Sequence, residues 1–197
     1  EEAIALSPNG RTTVTCRAFC CEASNSGPRE NEAFRKGHRA PEKLATLARF
    51  VDSLGYEDGI VQSAIWVLSD GHDIGSVGAL DSSANDTLRN KLSALSGQPA
   101  PRYSVRYGED ERMACSGRPA AISRIVSVAR GVPDRLTIVV RSDAGRLIEV
   151  IQERMPMEAG RAHVPVELNV LDWPKGRYAI YAWTEGGTDV QRLPFTL

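Results

Sequence analysis

The stretch Arg135–Ile148, RLTIVVRSDAGRLI, decides the fold. Apolar and β-branched residues fill Leu136–Val140, Ser142–Gly145 carries turn chemistry, and apolar residues resume at Leu147 and Ile148. That pattern predicts two antiparallel strands closed by a hairpin, with Gly145 supplying the positive φ that tight turns require. Working outward, the period of two recurs through the C-terminal half. Candidate strands are Tyr103–Tyr107, Ile122–Ala129, Arg135–Arg141, Leu147–Gln152, His163–Val170, Arg177–Trp183 and Asp189–Thr196. Turn signals separate them at Gly131-Val132-Pro133-Asp134, Glu158-Ala159-Gly160, Pro174-Lys175-Gly176 and Gly186-Gly187. Short strands at this spacing, with no helical period between them, predict a β-sandwich and exclude a βαβ sheet.

Upstream the period changes. Pro41 suits a first helical turn, Leu44, Leu47, Val51 and Leu54 form one stripe, and Gly55 stops it. A second helix is expected over Asp58–Ser69, with Ile60, Val61, Ala64, Ile65 and Leu68 inward and Gly71 ending it. A third starts near Ser83, carries Leu88, Leu92 and Leu95, and ends at Gly97. Thr12–Cys16 reads as one strand, Ser24–Gly37 as a polar loop and Gly97–Pro101 as a linker. The expected class is α+β: a mainly helical domain over 1–100 with an N-terminal strand, then an antiparallel sandwich over 101–197.

Composition narrows the partners. The 197 residues carry a formal net charge of −1, with 24 basic and 25 acidic side chains interspersed. No basic stripe exists to hold nucleic acid, and no apolar run approaches the ~20 residues that span a bilayer. The start, Glu1-Glu2-Ala3-Ile4, is what signal cleavage leaves behind, which predicts a secreted or cell-surface protein. The four cysteines Cys16, Cys20, Cys21 and Cys115 fit no zinc spacing. Their even number predicts two disulfides. Cys20 and Cys21 make poor partners for each other, so one of the three clustered cysteines is expected to reach Cys115 and tie the halves together.

The C-terminal half resembles a known module. The run Arg135–Ile148, then Ala159-Gly160, Leu171-Asp172-Trp173-Pro174-Lys175-Gly176-Arg177-Tyr178-Ala179-Ile180 and Val190–Leu197, has the cadence of the Ig-like module ending many secreted bacterial proteins. Flagellar hook-capping Ig-like domains and type IX secretion sorting domains are examples. Gly145 and Gly176 supply positive φ in this reading, and Pro174 sets a turn entry. The resemblance implies an Ig-like sandwich that serves export, spacing or assembly and carries no catalytic groups.

The N-terminal half has a looser likeness. Val61-Gln62-Ser63-Ala64-Ile65-Trp66-Val67-Leu68-Ser69-Asp70, preceded by Thr13-Val14-Thr15-Cys16, resembles the thioester domains of bacterial surface adhesins. The resemblance implies a bond between Cys16 and Gln62, formed with loss of ammonia and able to acylate a surface amine. Trp66, one turn after Gln62, would shield it. Val61 stands where that family has Thr, and the family's Tyr beside the Cys is missing. A thioester at Cys16 would also leave an odd number of cysteines. A non-reactive relative with oxidised cysteines is the preferred expectation.

Other chemistry is sparse. Asp70, His72 and Asp73 have donor types that suit a metal, but an acidic loop ending a helix more often faces water, so no metal is assigned. His38, His72 and His163 are scattered, and no nucleophile elbow, zincin motif, P-loop or dinucleotide fingerprint occurs. No cofactor and no catalytic residue are therefore expected. Trp173, Tyr181 and Trp183 form a candidate binding patch in the last hairpin. The sequence reading is an exported, non-enzymatic extracellular module for binding, adhesion or self-association with a protein or cell-surface partner. A covalent thioester adhesin is the alternative. The third reading is a filament subunit assembling by strand addition, with Glu1–Leu6 as the donated strand.

Overall fold

Leu47 and Val51, one turn apart, bury a single face of helix α1, Glu42–Leu54. Helix α2, Asp58–Ser69, buries Val61, Ala64 and Val67, and α3, Ser83–Ser96, buries Leu88 and Leu92. These residues close with Ile74 and Val77 into one apolar cluster. Ile74 belongs to a 3-10 turn, Ile74–Ser76, that follows α2. The structure, a computed structural model, describes residues 8–25, 32, 37–78, 83–108, 115, 117–187 and 189–197. The proposed donor segment Glu1–Leu6 lies outside them. No helix among the described residues is long and apolar enough to cross a membrane.

Seven strands follow: β1 Ser104–Tyr107, β2 Pro119–Arg130, β3 Asp134–Ser142, β4 Leu147–Met157, β5 Gly160–Asn169, β6 Arg177–Thr184 and β7 Val190–Thr196. They form two antiparallel sheets, ordered β1-β2-β5 and β4-β3-β6-β7. Alternation places Val105, Ile122, Val126, Val166 and Leu168 of the first sheet against Leu136, Ile138, Val140, Ile180 and Phe195 of the second. The α+β class, with a helical region and a two-sheet sandwich, is thus the observed architecture.

Three local expectations change. Thr12–Cys16 forms no strand among the described residues. Its segment instead lies over α1 and α2, and β-branched residues make a strand only where a sheet edge receives them. Strand β4 runs past Gln152 to Met157 through a bulge, where Arg154 holds a positive φ of 51° and its N–H donates to Thr137 Oγ1 at 3.2 Å. Gly145 has the expected left-handed φ of 78°, but Gly176 is not among the positive-φ residues. It lies just before β6 and exchanges main-chain hydrogen bonds with Leu197 at 2.9 and 3.1 Å.

Each edge strand carries a feature that disfavours a further strand. β1 has four residues. β5 carries Pro165 opposite Ile125, β4 carries Pro156 opposite Arg135, and β7 carries Pro194 opposite Ala179. Proline has no N–H to donate, and the bulge at Arg154 bends β4 away from a straight partner.

Candidate functional site

The functional geometry gathers where the helical region meets the sandwich. Helix α2 ends at Asp70, and Gly71, with a φ of 72°, turns the chain so that His72 points inward. The His72 ring is buried, stacked on Tyr107 at 4.0 Å and tilted against Trp66 at 5.8 Å. Burial pulls its pKa below the ordinary 6.5, against the opposing field of Asp70. The indole N–H of Trp66 is itself buried without a partner among the described residues.

Asp73 does three jobs. Its Oδ1 accepts from Gly75 N–H at 2.6 Å and caps the 3-10 turn, while its Oδ2 accepts the Tyr103 hydroxyl at 2.8 Å. Its own N–H donates to the Tyr107 oxygen at 2.9 Å. Desolvation, reinforced by Asp73, raises the Tyr103 phenol well above its usual range, and burial pushes Tyr107 up to about 12. Both phenols therefore remain protonated at physiological pH.

Beneath this lies Arg89 on α3, 2% exposed. Its Nε donates to Val77 O at 2.9 Å, and Nη2 donates to Gly78 O at 2.8 Å and Gly75 O at 3.1 Å. Longer contacts reach Tyr103 O and Ser104 Oγ on the sandwich side. Gly78 must be glycine: its φ is 66°, and a Cβ would meet the Asn85 carboxamide at 2.3 Å.

A strap completes the junction. The Gln62 carboxamide accepts from Cys20 N–H at 2.9 Å and donates to Cys20 O at 2.7 Å. Ala23 N–H donates to Asp70 Oδ1 at 2.9 Å, and Cys115 N–H donates to Ala23 O at 3.0 Å. Residues 20–23 thus join α2 to Cys115.

Of these groups, Gly71, Asp73, Tyr103 and Tyr107 help wall a half-open cleft of about 440 Å³. Asp73, Gln98, Tyr103, Tyr107, Trp173 and Lys175 supply its chemistry, with Arg118 at one side. Trp173 is held against Tyr178 at 5.3 Å and Phe195 at 6.5 Å. No cysteine or histidine lines this cleft. A second, largely apolar cleft of about 610 Å³ separates the N-terminal segment from α1 and α2. It holds Cys16 and Cys21 beside Phe19, Leu44 and Ile65.

The sequence-derived candidates scatter across this frame. Gln62 is engaged by the main chain of Cys20, while Cys16 lines the apolar cleft. No disulfide joins the four cysteines in the structure, where two bridges were expected. Cys20 Sγ instead meets main-chain groups of Glu22, at 3.3 and 3.4 Å. The Cys21 thiol is pushed up by desolvation, then by Cys20, Asp70 and Glu22. Asp70, His72 and Asp73 go to three separate structural tasks, and no group of metal-ligating side chains occurs among the described residues.

The aromatic patch does not assemble either. Tyr181 and Trp183 alternate with buried Ile180, Ala182 and Thr184 and so face outward, where Arg192 Nε donates to the Tyr181 oxygen at 3.2 Å. Trp173 sits at the opposite end of β6. Ser127 Oγ meets His163 Nδ1 at 2.8 Å, but on the exposed face of β2 and β5, outside either cleft. The residues that sequence reasoning missed are Arg89, Tyr103 and Tyr107. Their one local signal is an Arg beside the apolar stripe of α3 and a Tyr at each end of a short strand. Comparison of the chain with protein-family models and with curated proteins finds no match.

Proposed function

We propose that this chain is an exported, non-enzymatic interaction module that meets a protein or cell-surface partner through the junction cleft. One observation carries the reading: the cleft converges aromatic rings and polar groups, yet holds no nucleophile–base pair. The resemblance of the C-terminal half to Ig-like modules of secreted bacterial proteins supports the extracellular setting. The edge prolines weigh against filament growth by strand addition, because Pro156, Pro165 and Pro194 each remove one donor from the strand that carries it.

The test uses Gly117, where an added Cβ would meet nothing within 4 Å among the described residues. Labelled chain should bind intact cells or extracellular matrix saturably, and unlabelled chain should compete. Gly117→Trp, which fills the cleft mouth, should abolish that binding and leave the melting temperature unchanged. Binding by this variant equal to the parent's would remove the cleft from consideration.

The covalent alternative has its own readout. Forming a Cys16–Gln62 thioester requires Gln62 to release both hydrogen bonds to Cys20. The expected intact mass is that of the full sequence, with no uptake of methylamine. A mass low by one ammonia, restored in Cys16→Ala, would replace the non-covalent reading with the thioester one.

A further inference from the structure

We infer that His72 is an acid-operated latch: neutral, it seals the junction between α2 and β1, and protonated, it turns from Tyr107 to Asp70 and loosens both the cleft wall and the strap. The ring is 5% exposed and lies flat on Tyr107, 4.0 Å between centroids and 14° apart, with Trp66 tilted against it at 5.8 Å. Trp66 belongs to α2 and Tyr107 to β1, so the imidazole fills the gap between the two halves. Packing holds it there, because the ring makes no hydrogen bond among the described residues. A neutral imidazole tolerates that setting and an imidazolium does not. The charged ring carries two N–H donors, and buried charged donors without acceptors are costly. The tyrosine face attracts a cation, but that gain is smaller than the solvation lost. Burial accordingly pulls the His72 pKa below 6.5, against the field of Asp70.

The surroundings decide where the charged ring turns. Asp70 stands at the end of α2, Tyr107 on β1 with Cys115 beyond it, Asp73 at the 3-10 turn, and Cys21 of the strap beside Asp70. Tyr107, pushed up to about 12 by burial, stays neutral in acid, and so does Cys21, whose thiol burial also pushes up. Asp73 already takes the Gly75 N–H and the Tyr103 hydroxyl. Asp70 is the carboxylate whose charge acts on His72. Its Oδ1 accepts from Ala23 N–H at 2.9 Å and its Oδ2 from the Ser69 hydroxyl. An imidazolium that meets this carboxylate outcompetes a neutral amide for it, so Ala23 is released, and with it the strap that receives Cys115 N–H. The same turn takes the ring off Tyr107, a wall of the cleft. Open and solvated, the histidine takes its proton near the ordinary 6.5, and closed, only at lower pH. Acid therefore favours the open arrangement and neutral pH the closed one. That the latch governs partner release rests on the cleft being the partner site; the latch itself does not.

Hydrogen exchange and NMR on the full chain, at about pH 7.5 and about pH 5, read the latch without any partner. The Ala23 amide, corrected for intrinsic exchange, should lose about tenfold in protection at the lower pH, while the Ile138 amide in the core of β3 holds. The His72 ring should titrate with the same midpoint, and the Tyr107 ring resonances should move with it. His72→Phe keeps a flat ring on Tyr107 and takes no proton, so Ala23 should stay protected in acid. Asp70→Asn still accepts from Ala23 and should open less than the parent. Equal protection of Ala23 at both pH values would overturn the latch, as would an equal loss in His72→Phe or a His72 midpoint that differs from Ala23's. Cell binding separates this inference from the cleft reading. Labelled parent should leave cells at about pH 5, and His72→Phe should stay. Binding that needs Gly117 yet persists in acid while Ala23 opens would overturn the latch's hold on the cleft. If Ala23 opens but binding ignores both acid and Gly117→Trp, the cleft falls as a partner site and the latch stands. If binding depends on Gly117 and Ala23 never opens, the latch falls and the cleft stands.

Discussion

Arg89 is a full charge placed among main-chain carbonyls, hydrogen-bonded to no carboxylate among the described residues. Asp86 and Asp73 lie near enough to oppose the burial that lowers its pKa. Replacing it with leucine leaves several buried carbonyls without donors, so Arg89→Leu should lose ~3 kcal/mol or more in urea unfolding. Lys should recover only part, since one ammonium cannot reproduce the fork. A loss within about 0.5 kcal/mol would show that water replaces the guanidinium. His72 sets a pH dependence. Its folded pKa lies below 6.5, so in the window beneath 6.5 the unfolded chain binds a proton that the folded chain refuses. Stability is full above that value and declines as pH falls through the window. Asp134, held below its ordinary 3.8 by Arg135 and Gly186 N–H groups, acts at lower pH, losing its contribution as its folded value is crossed. The melting temperature should drop from pH 7.5 to pH 5.5, and His72→Phe should flatten that slope; an unchanged slope would move its origin elsewhere. None of this was legible locally. His72 reads as a loop histidine in sequence, and Arg89 as a surface arginine, because their surroundings arrive from β1 and the 3-10 turn.

Elements were more legible than residues. Among the described residues, the seven strands and three α-helices follow from period and turn chemistry, and α2 has the bounds the pattern predicts, Asp58–Ser69. Failures occur where pairing, not propensity, decides. Pattern reading stops β4 at Gln152 because a positive-φ arginine and Pro156 break the alternation, yet β3 continues to supply a partner as far as Met157. Thr12–Cys16 has strand composition and no edge to join. The edge prolines give a prediction at this scale. Pro165→Thr combined with Pro194→Val restores two donors on outward-facing edges at little cost to folding. The double variant should associate with rising concentration in light scattering, while the parent shows no such growth. Equal behaviour of the two would remove the prolines as guards of the edges.

At the scale of the whole molecule, the two apolar clusters share no residue: one draws on positions 19–95 and the other on 103–197. We therefore expect the polypeptide 101–197 to fold alone, with the circular dichroism of a β protein and a cooperative melt. It should not bind the cleft ligand, because Asp73 and Gln98 stay behind. An unstructured fragment would mean that the helices complete the sandwich instead of merely adjoining it. What crosses between the halves engages main chain at each contact: Cys115 N–H to Ala23 O, Arg89 to Tyr103 O, and Asp73 N–H to the Tyr107 oxygen. Carbonyl oxygens are the same whatever side chain a residue bears. Over evolutionary time the joint can therefore tolerate drift in most of the residues it grips, provided the loop keeps its course. Relatives of this protein would then be betrayed less by a shared motif than by one arginine and one glycine, at 89 and 78, kept eleven positions apart.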